Sequence, residues 1–382
     1  MRLYDTRRDR VVPFVGARTV RLYVCGVTPY DATHLGHAFT YTAFDALVRL
    51  LEHRGHRVRY VRNVTDVDDD ILRTAREAGR SHEVIAREEV ERFLSDCAAL
   101  NLRPPDVEPW ASEAVPAIQR AIAGLLEQGV AYDVGDGRVY YDVRAAGDAL
   151  GALSKLDRET MLVEFGEKGG DPDAPDKRDP LDFLLWQPSA PDEPAWGSPW
   201  GAGRPGWHIE CSAMAMEELG GVIDVHGGGR DLVFPHHEAE ILQSEGLTGQ
   251  GPFARWWLHT GMAGLDGHKM SKSERNLVFV ADLRERYAPA AIKRYLLQHH
   301  YREDWSFDAD QLDAACQSVK AWADVAGDAG RDEAAEARMV DALENDLDTP
   351  TALAVLDELA GAGRGESVRW GAGLLGIDLG AA

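Results

Sequence analysis

The chain has 382 residues, 45% hydrophobic and 27% charged, with four cysteines and a formal net charge of −23. That length exceeds one simple core and predicts two or three domains, no apolar run is long enough to form a membrane span, and residues 1–14 lack the apolar centre of a secretion signal, so a cytoplasmic protein is expected. The acidic excess argues against a broad nucleic-acid footprint, which needs clustered Lys and Arg, and the scattered Cys25, Cys97, Cys211 and Cys316, none in a C-x-x-C pair, argue against a disulfide scaffold.

In chain order, Thr19 to Val24 alternates apolar and polar residues and reads as a strand. A turn-like segment runs from Gly26 to Gly36. A helix follows with Ala43, Leu47, Leu50 and Leu51 on one face and Gly55 as its C′ residue. Arg57 to Val64 reads as a second strand, and this order predicts a right-handed crossover in a parallel sheet. Residues 68 to about 130 carry helical patterns, broken at Arg103-Pro104-Pro105. Residues 131–205 are dense in Gly, Pro, Asp and Trp and read as an irregular insertion between the halves of a nucleotide-binding sheet. Val222 to Val225 is a short strand expected to end at Gly227-Gly228-Gly229, and Phe253 to Thr260 reads as another. From residue 281 the pattern is helical. Cys97 and Cys316 fall inside helical patterns and are expected to be buried thiols. Residues 323–346 hold eight acids against Arg331 and Arg338, a poor RNA-binding surface.

Two short segments stand out chemically. His34-Leu35-Gly36-His37 sits where a strand hands over to a helix: Gly36 permits close approach of a nucleotide, the helix start favours negative charge, and imidazoles can donate to phosphate oxygens. Alone, the same spacing also suits a metal pair or chance. Lys269-Met270-Ser271-Lys272-Ser273 contains two of only seven lysines in a chain that otherwise uses Arg. Two ammonium groups converging on a triphosphate would stabilise charge gathering on the α-phosphate, on the order of 3 kcal/mol per well-placed donor. Alone, it is also an ordinary solvated turn.

Together the two segments resemble the paired signatures of class I aminoacyl-tRNA synthetases. The resemblance implies an α/β fold: a Rossmann-type catalytic domain in two halves (residues 1–110 and 206–280), a connective insertion at 111–205, and a helical C-terminal domain at 281–382 without an anticodon-binding domain. It implies ATP with Mg²⁺ as substrate. His34, His37, Lys269 and Lys272 would be catalytic. Gly36, Gly228, Gly229, Asp231, Met270 and Ser271 would hold the nucleotide.

A third set concerns the amino acid. Cys25, Cys211, His236 and Glu240 offer two thiols, an imidazole and a carboxylate, a donor set suited to Zn²⁺, although spacing alone leaves a merely polar cleft open. His236 and Glu240, four residues apart, would share one helix face. The block Arg204 to Ala213, with His226 to Gly229 and Phe234 to Glu238, looks like the cysteinyl-tRNA synthetase family. By that resemblance one zinc ion per chain is held by Cys25, Cys211, His236 and Glu240 and binds the substrate thiolate, Trp207 walls the cysteine pocket, Thr65 and Thr28 face the substrate, and Asp231 holds the ribose.

Two branches of the family fit, differing in the acceptor. Thr28 to His37, the loop from Gly169 to Leu181 and the ending after Asp346 resemble the mycothiol-pathway branch, which joins cysteine to the amine of glucosaminyl-inositol. Glu240 and the run Arg62 to Asp66 followed by Asp69 to Ile71 lean towards the tRNA-charging branch, in which tRNA would be the partner, or a truncated paralogue of it. Ser273 to Asn276 replaces the usual Arg-Gly of either branch, which implies a stiffer or slower-closing loop. A non-catalytic binding module is a further reading. A monomer without membrane partners is expected.

Overall fold

The computed structural model describes residues 1–29, 33–265, 267–270 and 276–381, with the backbone alone at 269 and 381. The chain opens with a hairpin of β1 (Arg2–Asp5) and β2 (Arg10–Pro13). Then come β3 (Thr19–Val27), α1 (Leu35–His53) and β4 (Arg57–Val64). β3 and β4 pair in parallel, as the strand–helix–strand order predicts. α1 is capped by Arg54, and the following Gly55 takes a φ of +83°, the left-handed region a glycine enters at no steric cost.

The helices α2 (Asp69–Ala78), α3 (His82–Ala99) and α4 (Ala111–Glu127) follow, with the expected break between α3 and α4. The region expected to be irregular is ordered. It folds into an antiparallel sheet of β5 (Ala131–Asp133), β6 (Val139–Tyr141), β7 (Phe183–Gln187) and β8 (Arg204–Pro205), with α5 (Arg158–Glu167) between β6 and β7. Its strands are two to five residues long. Such strands are too short to show a period and are selected by their shared core of Val139, Tyr141, Leu185 and Trp186 against α4.

α6 (Trp207–Leu219), β9 (Ile223–Gly229), α7 (Glu238–Thr248) and β10 (Ala254–Thr260) return the chain to the central sheet. That sheet is wholly parallel in the order β10-β9-β3-β4. β9 does not end at the triple glycine but runs through it. A Cβ on Gly227 would lie 2.1 Å from the Phe44 ring, so the glycine is there to let α1 lie against the strand.

Beyond the sheet, β11 (Ala263–Leu265) pairs with β12 (His268–Lys269) and with β13 (Trp305–Ser306), a strand inside the region expected to be all helical. The rest is α8 (Val280–Arg284), α9 (Pro289–Leu297), α10 (Ala309–Val325), α11 (Glu333–Glu344), α12 (Thr349–Gly361) and α13 (Gly365–Leu374). Leu353, Leu356 and Val368 from these helices join Val20, Leu22 and Leu47 in one apolar core. The acids of this region have structural work: Asp308, Asp332 and Asp348 cap helices, and buried Asp346 holds the Tyr4 N–H, the Tyr301 hydroxyl and Arg302. Cys97 is buried as expected, whereas Cys316 is only half-buried.

Candidate active site

A cleft of about 360 Å³ opens at the carboxyl ends of the parallel strands, where open α/β sheets collect their ligands. The backbone at its floor is tightly constrained. A Cβ on Gly26 would sit 1.5 Å from the Asn63 carbonyl oxygen, so only glycine fits. The Asn63 side chain accepts from the Gly26 N–H at 2.8 Å and donates to Thr65 Oγ1 at 3.0 Å. The Tyr41 hydroxyl donates to the Cys25 carbonyl at 3.1 Å. Asn63 and Tyr41 thus pin the ends of β3 and β4 beneath the cleft.

Cys25, Thr28, His34, Gly36, His37 and Thr65 line the cleft. His34 is the N-cap of α1: its Nδ1 accepts from the Gly36 N–H at 3.1 Å. A neutral His34 therefore carries its proton on Nε2, the form able to donate to a phosphate oxygen. The His34 and His37 rings stack at 3.8 Å. Trp207, Cys211, Gly229, Asp231, His236 and Met270 line the cleft as well. Gly228 and Glu240 do not line the cleft. Lys269 enters only as backbone of β12, and Ser271 and Lys272 lie outside the described residues.

The two cysteines, His236 and Glu240 converge. Trp207 and Cys211 are one turn apart at the start of α6, and the Trp207 ring stacks on His236 at 4.3 Å. His236 lies in a wide helical turn, Val233–His237, that is kinked at the extended Phe234 and runs directly into α7 at Glu238. His236 and Glu240 therefore face the same way, as expected, with His236 Nε2 3.4 Å from Glu240 Oε1.

One ligand atom from each of Cys25, Cys211, His236 and Glu240 lies within 4.8 Å of the others, and all four residues are buried. Burial first, then the neighbouring Cys211 and Glu240, pushes the Cys25 thiol well up; burial likewise raises the Glu240 carboxyl. Three potential anions without a cation would be costly here, and a dication is the charge that fits. Their spacing agrees. Tetrahedral bonds to a zinc-sized ion put two thiolates about 3.8 Å apart, thiolate and carboxylate about 3.6 Å, and imidazole and carboxylate about 3.4 Å. The observed separations are 3.9 Å, 3.6 Å and 3.4 Å. The group could hold a metal ion.

A second grouping, Cys25, His226, His237 and Glu240, is as close-knit but has other spacings. His237 Nε2 is 3.2 Å from Cys25 Sγ and His226 Nε2 is 2.9 Å from Glu240 Oε2. Shared ligation would require about 3.6 Å and about 3.4 Å; the observed values are those of hydrogen bonds. Burial pushes His226 and His259 down to about 3 and His208 to about 4, so this shell is neutral. Sequence reasoning assigned no role to Asn63, Tyr41, His237 or His259. The adjacent pair His236-His237 is a visible signal for one of them, but His259 sits in an apolar strand with no local mark.

The comparisons agree with this architecture. The fold is that of class I synthetases: it superposes on Mycobacterium tuberculosis methionyl-tRNA synthetase bound by methionyl-adenylate with a TM-score of 0.68 at 16% identity, covering 94% of this chain and 88% of that one. Residues 11–317 match the family of tRNA synthetases class I (C) catalytic domains. Relatives named L-cysteine:1D-myo-inositol 2-amino-2-deoxy-alpha-D-glucopyranoside ligase include one from Streptosporangium roseum, 47% identical over 94% of this chain and 88% of the relative. Another, from Kribbella flavida, is 48% identical over 94% and 89%. The chain belongs to this class I (C) synthetase family, in the branch of these ligases. Among the described residues no helix is long and apolar enough to cross a membrane.

Proposed function

We propose that the chain is an AMP-forming ligase that activates the carboxyl group of L-cysteine with ATP and passes the cysteinyl group to the amine of glucosaminyl-inositol. The observation that carries this reading is the meeting, in one cleft, of the stacked His34 and His37 with Cys25, Cys211 and His236. The substrates in the names of the relatives support the choice of acceptor.

Zn²⁺, one per chain, is the ion assigned to Cys25, Cys211, His236 and Glu240; bound there, it would prefer a substrate thiolate to the hydroxyl of serine. Trp207, Thr65 and Thr28 wall the cysteine. His34 and His37 donate to the ATP phosphates over the backbone of Gly36, while Gly229 and Asp231 hold the nucleoside, backed by Gly228 from outside the cleft. The cysteine carboxylate oxygen attacks the α-phosphorus, the bond to the β-phosphate oxygen breaks, and pyrophosphate leaves with Mg²⁺. Lys269 and Lys272 stabilise the charge of that transition state, and Met270 and Ser271 beside them help to hold the nucleotide. The sugar amine then attacks the adenylate carbonyl: a C–N bond forms, the bond to AMP breaks, and the amine loses a proton. In this reading residues 1–110 and 206–280 form the catalytic halves, 111–205 the insertion and 281–382 a helical domain of a cytoplasmic monomer.

The test offers the purified protein cysteine and ATP with either glucosaminyl-inositol or tRNA. The expected products are the cysteinyl amide of the sugar, AMP and pyrophosphate. Cysteinylation of tRNA alone would move the chain to the tRNA-charging branch. Absence of cysteine-dependent exchange of pyrophosphate into ATP would leave a binding module.

A further inference from the structure

Several buried imidazoles surround the thiol cluster, yet only His236 stands at ligand spacing. The others make a directed chain. His237 Nε2 lies 3.2 Å from Cys25 Sγ, and its Nδ1 lies 2.7 Å from His259 Nε2. His259 Nδ1 in turn lies 2.7 Å from Thr6 Oγ1. On the other side, His226 Nε2 lies 2.9 Å from Glu240 Oε2, and its ring stacks on Trp257 at 4.5 Å.

A neutral imidazole offers one donor and one acceptor, and a thiolate or carboxylate only accepts. With Cys25 as a metal-bound thiolate, the chain has one solution. His237 donates from Nε2 to the sulfur, so its Nδ1 accepts from His259 Nε2–H, so His259 Nδ1 accepts from the Thr6 hydroxyl. The hydroxyl at the half-buried end is the one member whose proton can rotate to complete the pattern. Thr6 is held there by its own N–H, which donates to the Trp257 carbonyl at 2.9 Å. By the same logic His226 Nε2 donates to the Glu240 carboxylate.

We infer that His237, oriented through His259 and Thr6, and His226 are positioning residues. They donate hydrogen bonds to Cys25 and Glu240, aim those atoms at the metal ion, and disperse the ligands' negative charge so that a substrate thiolate can join them. The inference rests on the metal-centre reading above. The physical need is charge: two thiolates and a carboxylate already exceed the two positive charges of the ion, and a substrate thiolate adds a fourth anion in a buried site. Hydrogen-bond donors behind the ligands lower the charge each presents to the newcomer. Thr6 precedes the segment that matches the family, residues 11–317, so the N-terminal hairpin contributes to a site otherwise built by the matched domain.

The test uses the full chain loaded with Co²⁺, reading the metal content, the thiolate-to-cobalt absorption band and the Kd for cysteine. One ion per chain is expected throughout. H237A should shift the band and weaken cysteine binding about 10–100-fold, whereas H237Q, whose amide nitrogen can take the place of Nε2, should stay near wild type. T6V, remote from the metal and close in shape, should move the same two readouts in the same direction, and it decides the matter if H237A does not fold. Unchanged band and Kd in the foldable variants of a loaded protein would overturn the inference and leave the metal centre standing. Two ions in the wild type with one lost in H237A would also overturn it, making His237 a ligand. A wild-type chain that retains no ion would sink the metal-centre reading itself.

Discussion

Cys25 illustrates how many constraints meet on one side chain. Its carbonyl accepts from Tyr41, its successor must be Gly26 because the Asn63 carbonyl leaves no room for a Cβ, and its sulfur faces Cys211, His237 and Glu240. Replacing Cys211 with Ser substitutes a hard, weakly acidic hydroxyl for a soft thiolate. It is expected to lower metal retention during dialysis and to cut cysteine-dependent pyrophosphate exchange by about 10²-fold or more, checked by elemental analysis and exchange assay. Lys272→Ala is expected to reduce the same exchange by roughly 10²-fold with the metal content unchanged; a wild-type rate would remove that lysine from the mechanism. The four ligand candidates were legible in the sequence because the blocks around them resemble the cysteinyl-tRNA synthetase family; their residue types alone left a merely polar cleft open. Asn63 and His259 were not, since an Asn at a strand end and a His in an apolar strand acquire their meaning only from what lies opposite.

Elements carry their own tests. Asp68 caps α2, accepting from the Asp70 N–H at 2.7 Å, and burial, with Asp69 and Asp70 adding to it, pushes its carboxyl up to about 6. An unfolded Asp titrates near about 3.9, so folding favours the protonated form. Its contribution is fully present below about pH 4 and is lost as pH rises through about 6. Asp68→Asn keeps a capping oxygen without the charge. It should therefore raise stability at pH 7.5 by about 1–2 kcal/mol and leave it unchanged at pH 4, read by denaturant unfolding at both pH values. α1 and α9 are joined by a buried ion pair, Lys293 Nζ to Asp45 Oδ2 at 2.7 Å, with Asn101 O at 3.0 Å. Asp45 is also held by Arg49 at 2.8 Å and by the Arg103 N–H at 2.7 Å, so Lys293→Met should cost only about 1–2 kcal/mol, whereas Asp45→Ala strands the buried Lys293 and should cost about 3 kcal/mol or more, both read by denaturant unfolding. Long periodic elements such as α1 and β4 were readable in advance. The sheet of the insertion was not, because strands of two to five residues carry too little period and are chosen by the neighbours they pair with.

At the scale of the molecule, the C-terminal helices are not an appendage. They share one core with the central sheet, and the N-terminal amine and Tyr4 N–H are tied to Glu344 and Asp346. A chain cut after residue 307 would expose that core to water. It is expected to be insoluble or to lack a cooperative thermal transition, which expression and circular dichroism would show. Binding energy at a preformed metal site adds to folding energy. Stripping the metal from the loaded protein with a chelator should therefore lower Tm by several degrees, with recovery on adding Zn²⁺.

What the residues alone determined was the chemistry on offer: paired histidines at a strand–helix junction, two lysines in a lysine-poor chain, and two thiols, an imidazole and a carboxylate. Residue type sets softness, charge and hydrogen-bonding capacity, and these can be read without coordinates. Only the tertiary structure decided that the neighbours of the expected ligand His236, His237 and His226, stand at hydrogen-bond and not at ligand spacing. A few tenths of an ångström separate the two, and they are set by how the Val233–His237 turn, β9 and β10 pack around Cys25.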